Sequence, residues 1–244
     1  MIIAGIALII FAYLIGSFPY MLILSRAKGI TIKRNEDFHI TTWRRVGPLE
    51  GMSGIIIDIL KGVIPVVIGF VCNFQLAIIA AAGVAAVIGQ MWPVFQRFNG
   101  EKGNTTGIGM SFALCIGIFF TPGIGTGSGA LWVMYSAIIC FLAGILTRNI
   151  PRFMAKGESV KQKLKLGGPV SNSMPLGMLA GFLVMPIVSW ILQQPIEMTL
   201  ALALTFILIV VRRLTANLSD DLKTARTSTG KILLSRFLLD RSYF

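Results

Sequence analysis

Apolar residues run through this chain in long continuous blocks, not in the alternation of a half-buried strand or the one-sided stripe of a soluble helix. About seven blocks stand out, at Ile2–Leu24, Met52–Cys72, Phe74–Met91, Thr105–Thr121, Ala130–Leu146, Ser173–Leu192 and Ile196–Val211. Roughly 20 apolar residues in a helix cross the hydrocarbon core of a bilayer, and tilt or flanking residues make up small shortfalls. The pattern therefore predicts an all-α integral membrane protein with about seven transmembrane helices and no soluble domain or internal repeat. A cleaved leader needs basic residues ahead of its apolar core. Met1-Ile2-Ile3 supplies none, so the first block reads as a span.

Composition agrees, with 55% hydrophobic and 13% charged residues. Charge placement adds a direction. The 22 Lys and Arg residues gather in Ser25–Gly51, Trp92–Asn104, Thr147–Gly168 and the tail from Arg212, with Lys61 inside the second block. The alternate connections, near Asn73, at Pro122–Gly129 and at Gln193–Pro195, have none. By the positive-inside rule the N-terminus lies outside, the C-terminus lies in the cytosol, and the protein sits in the cell membrane with its active face cytosolic. Residues 1–212 form the transmembrane unit and 213–244 a basic cytosolic tail. The net charge of +12 is divided among short loops, which points to orientation and anionic lipids as partners and not to nucleic acid. Within the tail, Leu233, Leu234, Phe237 and Leu238 share a helical face, predicting a membrane-surface segment. Thr147–Gly168 reads as a surface loop or interfacial helix.

The clearest chemical signal is the run Asn99-Gly100-Glu101-Lys102-Gly103-Asn104-Thr105-Thr106-Gly107, which leads straight into an apolar helix. Glycines let amides converge on an anion, Lys102 adds a point charge, and the helix N-terminus with Thr105 or Thr106 near its cap favours phosphate. A tight turn followed by packing glycines explains the same residues equally well. The second glycine-rich run, Gly123–Gly129, falls on the outer side and reads as a flexible turn. Asp58 and Lys61 share one helical face inside an apolar block, either as a functional pair or as a structural ion pair. Arg44 and Arg45 beside Trp43 read either as a phosphate clamp or as a topogenic cluster. His39 is the only histidine, which excludes multi-histidine metal centres, and it reads as exposed and uninvolved. Cys72, Cys115 and Cys140 lack metal or redox spacing and read as apolar packing residues, so neither metal nor cofactor is implied.

With these segments in view, the chain resembles the acyl-phosphate:glycerol-3-phosphate acyltransferases of the PlsY type. Gly16-Ser17-Phe18-Pro19-Tyr20 is similar to that family's GSIPFG-like motif, and Lys28-Gly29-Ile30 to its KGI. Asp58–Val66 fits a DxxKGxxPV pattern, Gly89–Phe95 resembles GHxFPVF, and Gly100–Thr106 resembles GGKGVAT. The order and spacing hold across roughly residues 10–120. The chain departs at Asn35–Gly47, which lacks the serine and asparagines of the family's first loop, at Gln90 in place of histidine, and at Glu101 in place of glycine. Val170–Ser173 is similar to an RYVSLAS segment, and Arg212–Leu218 keeps part of a terminal HRENIKRL-like motif.

The resemblance implies acyl transfer from acyl phosphate to the 1-hydroxyl of glycerol 3-phosphate, giving lysophosphatidic acid. It makes Lys102 and Arg44 the catalytic candidates, Gly100, Gly103, Asn104, Thr105 and Ser171 the phosphate-binding ones, and Ser17, Asp58 and Lys61 supporting groups. The mixed anhydride is already activated, so positioning and electrostatics carry the chemistry, with a substrate phosphate or water taking the proton. Two other readings compete. One is a degenerate relative that binds a phosphorylated lipid or supports a membrane complex. The other is a small transporter, for which neither paired broken helices nor an inverted repeat is visible. Glu101 is expected to turn outward toward a Lys or Arg, leaving the loop to the anion.

Overall fold

The computed structural model describes residues 2–31, 38–154, 173–216, 218–224 and 228–240. Among these the architecture is entirely helical: α1 (Ile2–Ser17), α2 (Tyr20–Ala27), α3 (Phe38–Arg45), α4 (Pro48–Val71), α5 (Leu76–Met91), α6 (Asn104–Phe120), α7 (Gly127–Met154), α8 (Ser173–Ile191), α9 (Ile196–Thr215), α10 (Leu218–Thr224) and α11 (Thr229–Leu239). Among the described residues, five helical segments are long and apolar enough to cross a membrane, at Ile2–Ala27, Pro48–Val71, Leu76–Gln96, Gly127–Thr147 and Ile196–Thr215. Two shorter apolar helices, Asn104–Phe120 and Pro175–Ile191, complete the bundle. Many large side chains face outward, including Ile3, Phe120, Trp132, Trp190 and Leu200, which is the exterior lipid requires and water would penalise.

Glycines set the helix pairing. A Cβ on Gly16 of α1 would collide with the Ala86 carbonyl of α5, and one on Gly89 of α5 with the Tyr13 carbonyl of α1. The second pairing repeats the device: Gly62 of α4 lies against the Thr106 backbone of α6, and Gly109 of α6 against the Ile59 carbonyl of α4. Without these glycines each backbone would be held off by a side chain, so small residues set the approach where lipid offers no hydrophobic gain from association. The approach has a chemical consequence. Thr106 Oγ1 donates to the Asp58 carbonyl at 2.9 Å, which ties the start of α6 to the charged stretch of α4.

The core is formed by Val66, Val87, Met91, Met110, Leu114, Phe182, Met198 and Leu202, among others. At one end of the bundle the turns after α6 and α8 meet, with Gln194 Nε2 donating to Thr126 Oγ1 at 2.6 Å. Gly125 there has φ +65°, a left-handed turn conformation that suits glycine. At the other end the first connection, the segment between α5 and α6, and the C-terminal helices come together.

Three expectations need restating. α7 runs on to Met154, so the first part of Thr147–Gly168 is helix, while residues 155–172 lie outside the described residues. α9 likewise continues through Arg212 and Arg213 to Thr215. The tail helix α11 is present, but Arg236 on it is buried and hydrogen-bonded to the Arg213 carbonyl. The helix is therefore docked on the bundle, and its polar contacts, not only its apolar face, decide where it lies.

Candidate functional site

The site grows from a single buried carboxylate. Asp58 is fully buried on α4, where an unpaired charge is untenable, and three residues, Lys61, Gln90 and His39, answer it. Lys61, one turn on, places Nζ 2.8 Å from Asp58 Oδ1, so the predicted pair forms. Gln90 of α5 spans both groups: its Oε1 accepts from Lys61 Nζ at 2.8 Å and its Nε2 donates to Asp58 Oδ2 at 3.0 Å. An amide, with a donor at one end and an acceptor at the other, is the neutral side chain that can satisfy a cation and an anion together.

His39 corrects the sequence reading. Its side chain is only 15% exposed, and Nε2 lies 3.1 Å from Asp58 Oδ2 and 3.2 Å from Glu101 Oε2. Gly54 on α4 leaves room for the ring, since a Cβ there would stand 3.0 Å from Nδ1. Burial opposes a charge on the imidazole, but the carboxylates of Asp58 and then Glu101 beside Nε2 outweigh it and push the pKa up to about 11. His39 is thus an imidazolium between two carboxylates, not an exposed bystander and not a free base.

Glu101 is the second correction. Its carboxylate turns inward to His39 instead of outward to a Lys or Arg, with its side chain 23% exposed. Burial and the neighbouring Asp58 charge raise its pKa above the usual carboxylate range, while His39 opposes the rise. Ligand atoms of His39, Asp58 and Glu101 lie within 4.8 Å of one another, close enough to share one metal ion. Lys61 and the protonated His39 already neutralise these carboxylates, so charge balance needs no ion.

Gly100 and Glu101 do not offer their amides to an anion. Their N–H groups donate to the Met91 and Gln90 carbonyls at 3.2 and 3.1 Å, locking the loop to the end of α5. Arg212 holds the other side, with Nη2 donating to the Gly100 carbonyl at 2.6 Å and Nε to the Glu101 carbonyl at 3.2 Å. Its guanidinium also lies 5.7 Å from the Trp92 ring centroid. Gly103 then takes φ +74° as the residue before α6, and the first-turn amides of Asn104, Thr105 and Thr106 have no intrahelical acceptor. Asn104 Oδ1 is buried without a hydrogen-bond partner among the described residues. The amides of the motif left without an acceptor in the helix are therefore those of its second half.

Lys102 points elsewhere. Its Nζ pairs with Asp240 Oδ2 at 2.9 Å and donates to the Asp240 carbonyl at 3.0 Å. Ser17 is fully buried and donates back to the Tyr13 carbonyl at 2.8 Å, at the α1–α5 contact. Arg44 lies on α3 with its side chain outside the described residues, and Ser171 lies outside them altogether. A cavity flanked by Phe18, Tyr20, Lys61, Gln90, Gln96 and Glu101 opens beside the network.

His39 and Asp240 escaped the sequence reading because neither stands in a motif. The only available signal was a coincidence of departures: a histidine missing at Gln90, an acid gained at Glu101, and a lone histidine in the first connection.

A family model for glycerol-3-phosphate acyltransferase matches residues 6–160, more than half of the chain. A glycerol-3-phosphate acyltransferase of Rubrobacter xylanophilus is 35% identical over 130 residues, 52% of this chain and 62% of the relative. One from Geotalea daltonii is 40% identical over 108 residues, 43% of this chain and 56% of the relative. The chain thus spans less than two thirds of the length of these relatives. Two crystal structures of PlsY (YgiH), an integral membrane glycerol 3-phosphate acyltransferase, share the fold. Its glycerol 3-phosphate form aligns with a TM-score of 0.62 at 22% identity, over 94% of this chain and 98% of that one. The lysophosphatidic acid form aligns at 0.61 and 23%, over 95% and 99%.

Proposed function

The chain belongs to the glycerol-3-phosphate acyltransferase family, and from that premise we propose that it transfers an acyl group from acyl phosphate to the 1-hydroxyl of glycerol 3-phosphate. The observation that carries the reading is the placement of the phosphate-type loop, Gly100–Thr106, against the buried Asp58–Lys61–Gln90 network at one end of the bundle. In the reaction the hydroxyl oxygen attacks the acyl carbon and the bond to the phosphate oxygen breaks. Phosphate leaves with the electron pair, and the hydroxyl proton passes to phosphate or water. His39, held as imidazolium between two acids, is not the base. Lys102 and Arg44 supply positive charge to the anions. Gly103, Asn104 and Thr105 offer helix-start amides, Gly100 shapes the loop, and Ser171 adds a hydroxyl. Asp58, Lys61 and Ser17 hold the frame. Positioning and charge stabilisation suffice for an activated anhydride, so no cofactor enters.

We read the two shorter apolar helices as spans, giving seven in all with the N-terminus outside and the active end facing the cytosol of the cell membrane. Supporting this, the turns without basic residues gather at one end of the bundle, while Lys28, Lys102, Arg212 and Arg213 lie at the other. Residues 1–212 form the transmembrane acyltransferase-like unit and 213–244 a basic tail over its cytosolic end, where anionic lipids meet the excess of Lys and Arg. The decisive assay supplies purified protein with acyl phosphate and glycerol 3-phosphate and looks for lysophosphatidic acid. No product from folded protein in a lipid bilayer would overturn the reading.

A further inference from the structure

The Lys102 contact has a partner outside the residues matched by the family model. Asp240 follows α11, in the left-handed conformation at φ +58°, and offers Lys102 both its carboxylate and its carbonyl. Behind it stands Arg213, whose side chain is fully buried. Its two terminal nitrogens are spent on the Pro175 and Phe237 carbonyls. Its Nε has no hydrogen-bond partner among the described residues and lies 3.8 Å from Asp240 Oδ1, which also has none. That separation exceeds a hydrogen bond, so the two groups form an ion pair with no hydrogen bond between them.

We propose that Lys102 and Arg213 form one anion site for a phosphate monoester, and that Asp240 is an internal carboxylate ligand which such an ester displaces. The proposal rests on the acyltransferase reading for the identity of the ester. Charge supports it. One carboxylate faces two cations, whereas a phosphate monoester carries about −1.5 to −2 near neutral pH and spreads it over three oxygens. A carboxylate bonded to Lys102 leaves Arg213 Nε unsatisfied. A phosphate, with an additional oxygen, can reach both. Access also fits, because the Lys102 side chain is 41% exposed while Asp240 is 12% exposed.

The segment that delivers Asp240 has its own anchor. Arg236 is buried and bonds to Asp221 and to the carbonyls of Arg213 and Ala216, so α11 stays docked without Asp240. Release of the carboxylate requires only that the residue ending the helix swing away. The C-terminal segment then sets the effective affinity of the loop: the more completely Asp240 occupies Lys102, the weaker any anion binds.

Asp240→Asn tests this with little backbone disturbance, since asparagine tolerates the left-handed region. Binding of glycerol 3-phosphate, and separately of lysophosphatidic acid in neutral-lipid nanodiscs, is measured by calorimetry on the full chain. The variant is expected to bind about three- to fivefold more tightly, the scale of a lost exposed ion pair. Gain for glycerol 3-phosphate alone assigns the site to the free ester, and gain for lysophosphatidic acid alone assigns it to a lipid headgroup. The same melting temperature with unchanged or weaker binding of both probes overturns the proposal. Should the variant melt lower, hydrogen exchange on the unmodified protein decides: a saturating ester should speed exchange of the Asp240 amide, which donates to the Arg236 carbonyl at the end of α11, and unchanged exchange there overturns the proposal. Acyl transfer is followed on the same preparations. Turnover without any effect of Asp240 sinks this inference alone, and tighter binding without turnover sinks the acyltransferase reading alone.

Discussion

His39 Nε2 lies 3.1 Å from Asp58 Oδ2, although one residue belongs to a short polar connection and the other to the interior of an apolar helix. The contact turns two separate departures from the family pattern into one arrangement. An acid gained at Glu101 would stand beside Asp58 without a counter-charge, and the imidazolium supplies it. Three elements thereby share one charge balance.

Because His39 is the sole histidine, its titration can be followed without assignment ambiguity. With a pKa raised to about 11, the ring is expected to give an imidazolium NMR signal unchanged between pH 6 and pH 9. The sign for stability follows. A raised folded pKa contributes stability that is fully present below the unfolded value, about 6.5, and is lost as pH rises through about 11. The stability advantage of wild type over His39→Gln should therefore shrink across that window. A ring that titrates near pH 6.5 would refute the buried pair.

Glu101→Gly and His39→Gln should be strongly coupled. His39→Gln alone leaves two carboxylates facing each other and is expected to raise the Michaelis constant for glycerol 3-phosphate about tenfold, through like-charge repulsion of the phosphate. Adding Glu101→Gly should recover most of the loss, with a coupling energy on the order of 0.5–3 kcal/mol. Additive effects in the double-mutant cycle would show that the two residues act independently.

Lys61→Met should be the most destabilising change at the site. It leaves Asp58 buried with one fewer counter-charge, and breaking such a pair costs about 3–5 kcal/mol. The double variant Lys61→Met/Asp58→Asn should be milder because no buried charge remains. Thermal unfolding in detergent provides the comparison, and equal melting temperatures for the single and double variants would contradict the electrostatic account.

Lys102→Ala is expected to lower turnover roughly 30- to 1000-fold, equivalent to about 2–4 kcal/mol at the transition state, with folding nearly intact. Lys102→Arg should restore only part, since a planar guanidinium replaces a compact charge. Loss of the Asp240 contact in the alanine variant is a surface-scale effect and should barely move the melting temperature. Unimpaired turnover would remove Lys102 from the mechanism.

The local part of this protein was legible in its residues. Long apolar blocks predict helices because each residue contributes its own transfer free energy, and no partner need be known. The Asp58–Lys61 pair was legible for the same reason, as three residues in a helix always share a face. The glycines before and within α6 were ambiguous between anion binding and packing, and the structure shows their backbone roles: Gly103 begins the helix, while Gly109 admits the α4 backbone.

What the sequence by itself determined, then, is the helical membrane architecture, the alternation of basic and neutral connections, and the glycine-rich loop that leads into α6. Tertiary structure alone decided where Glu101, His39, Lys102 and Asp240 point. Each side chain sits on a connection or near a helix end, where several rotamers of similar energy are open to it and local sequence does not choose among them. The choice is made by a charge far along the chain, Asp58 for His39 and Asp240 for Lys102. Coulombic attraction in a poorly screened setting outweighs local preference there, and no stretch of residues read alone contains its partner.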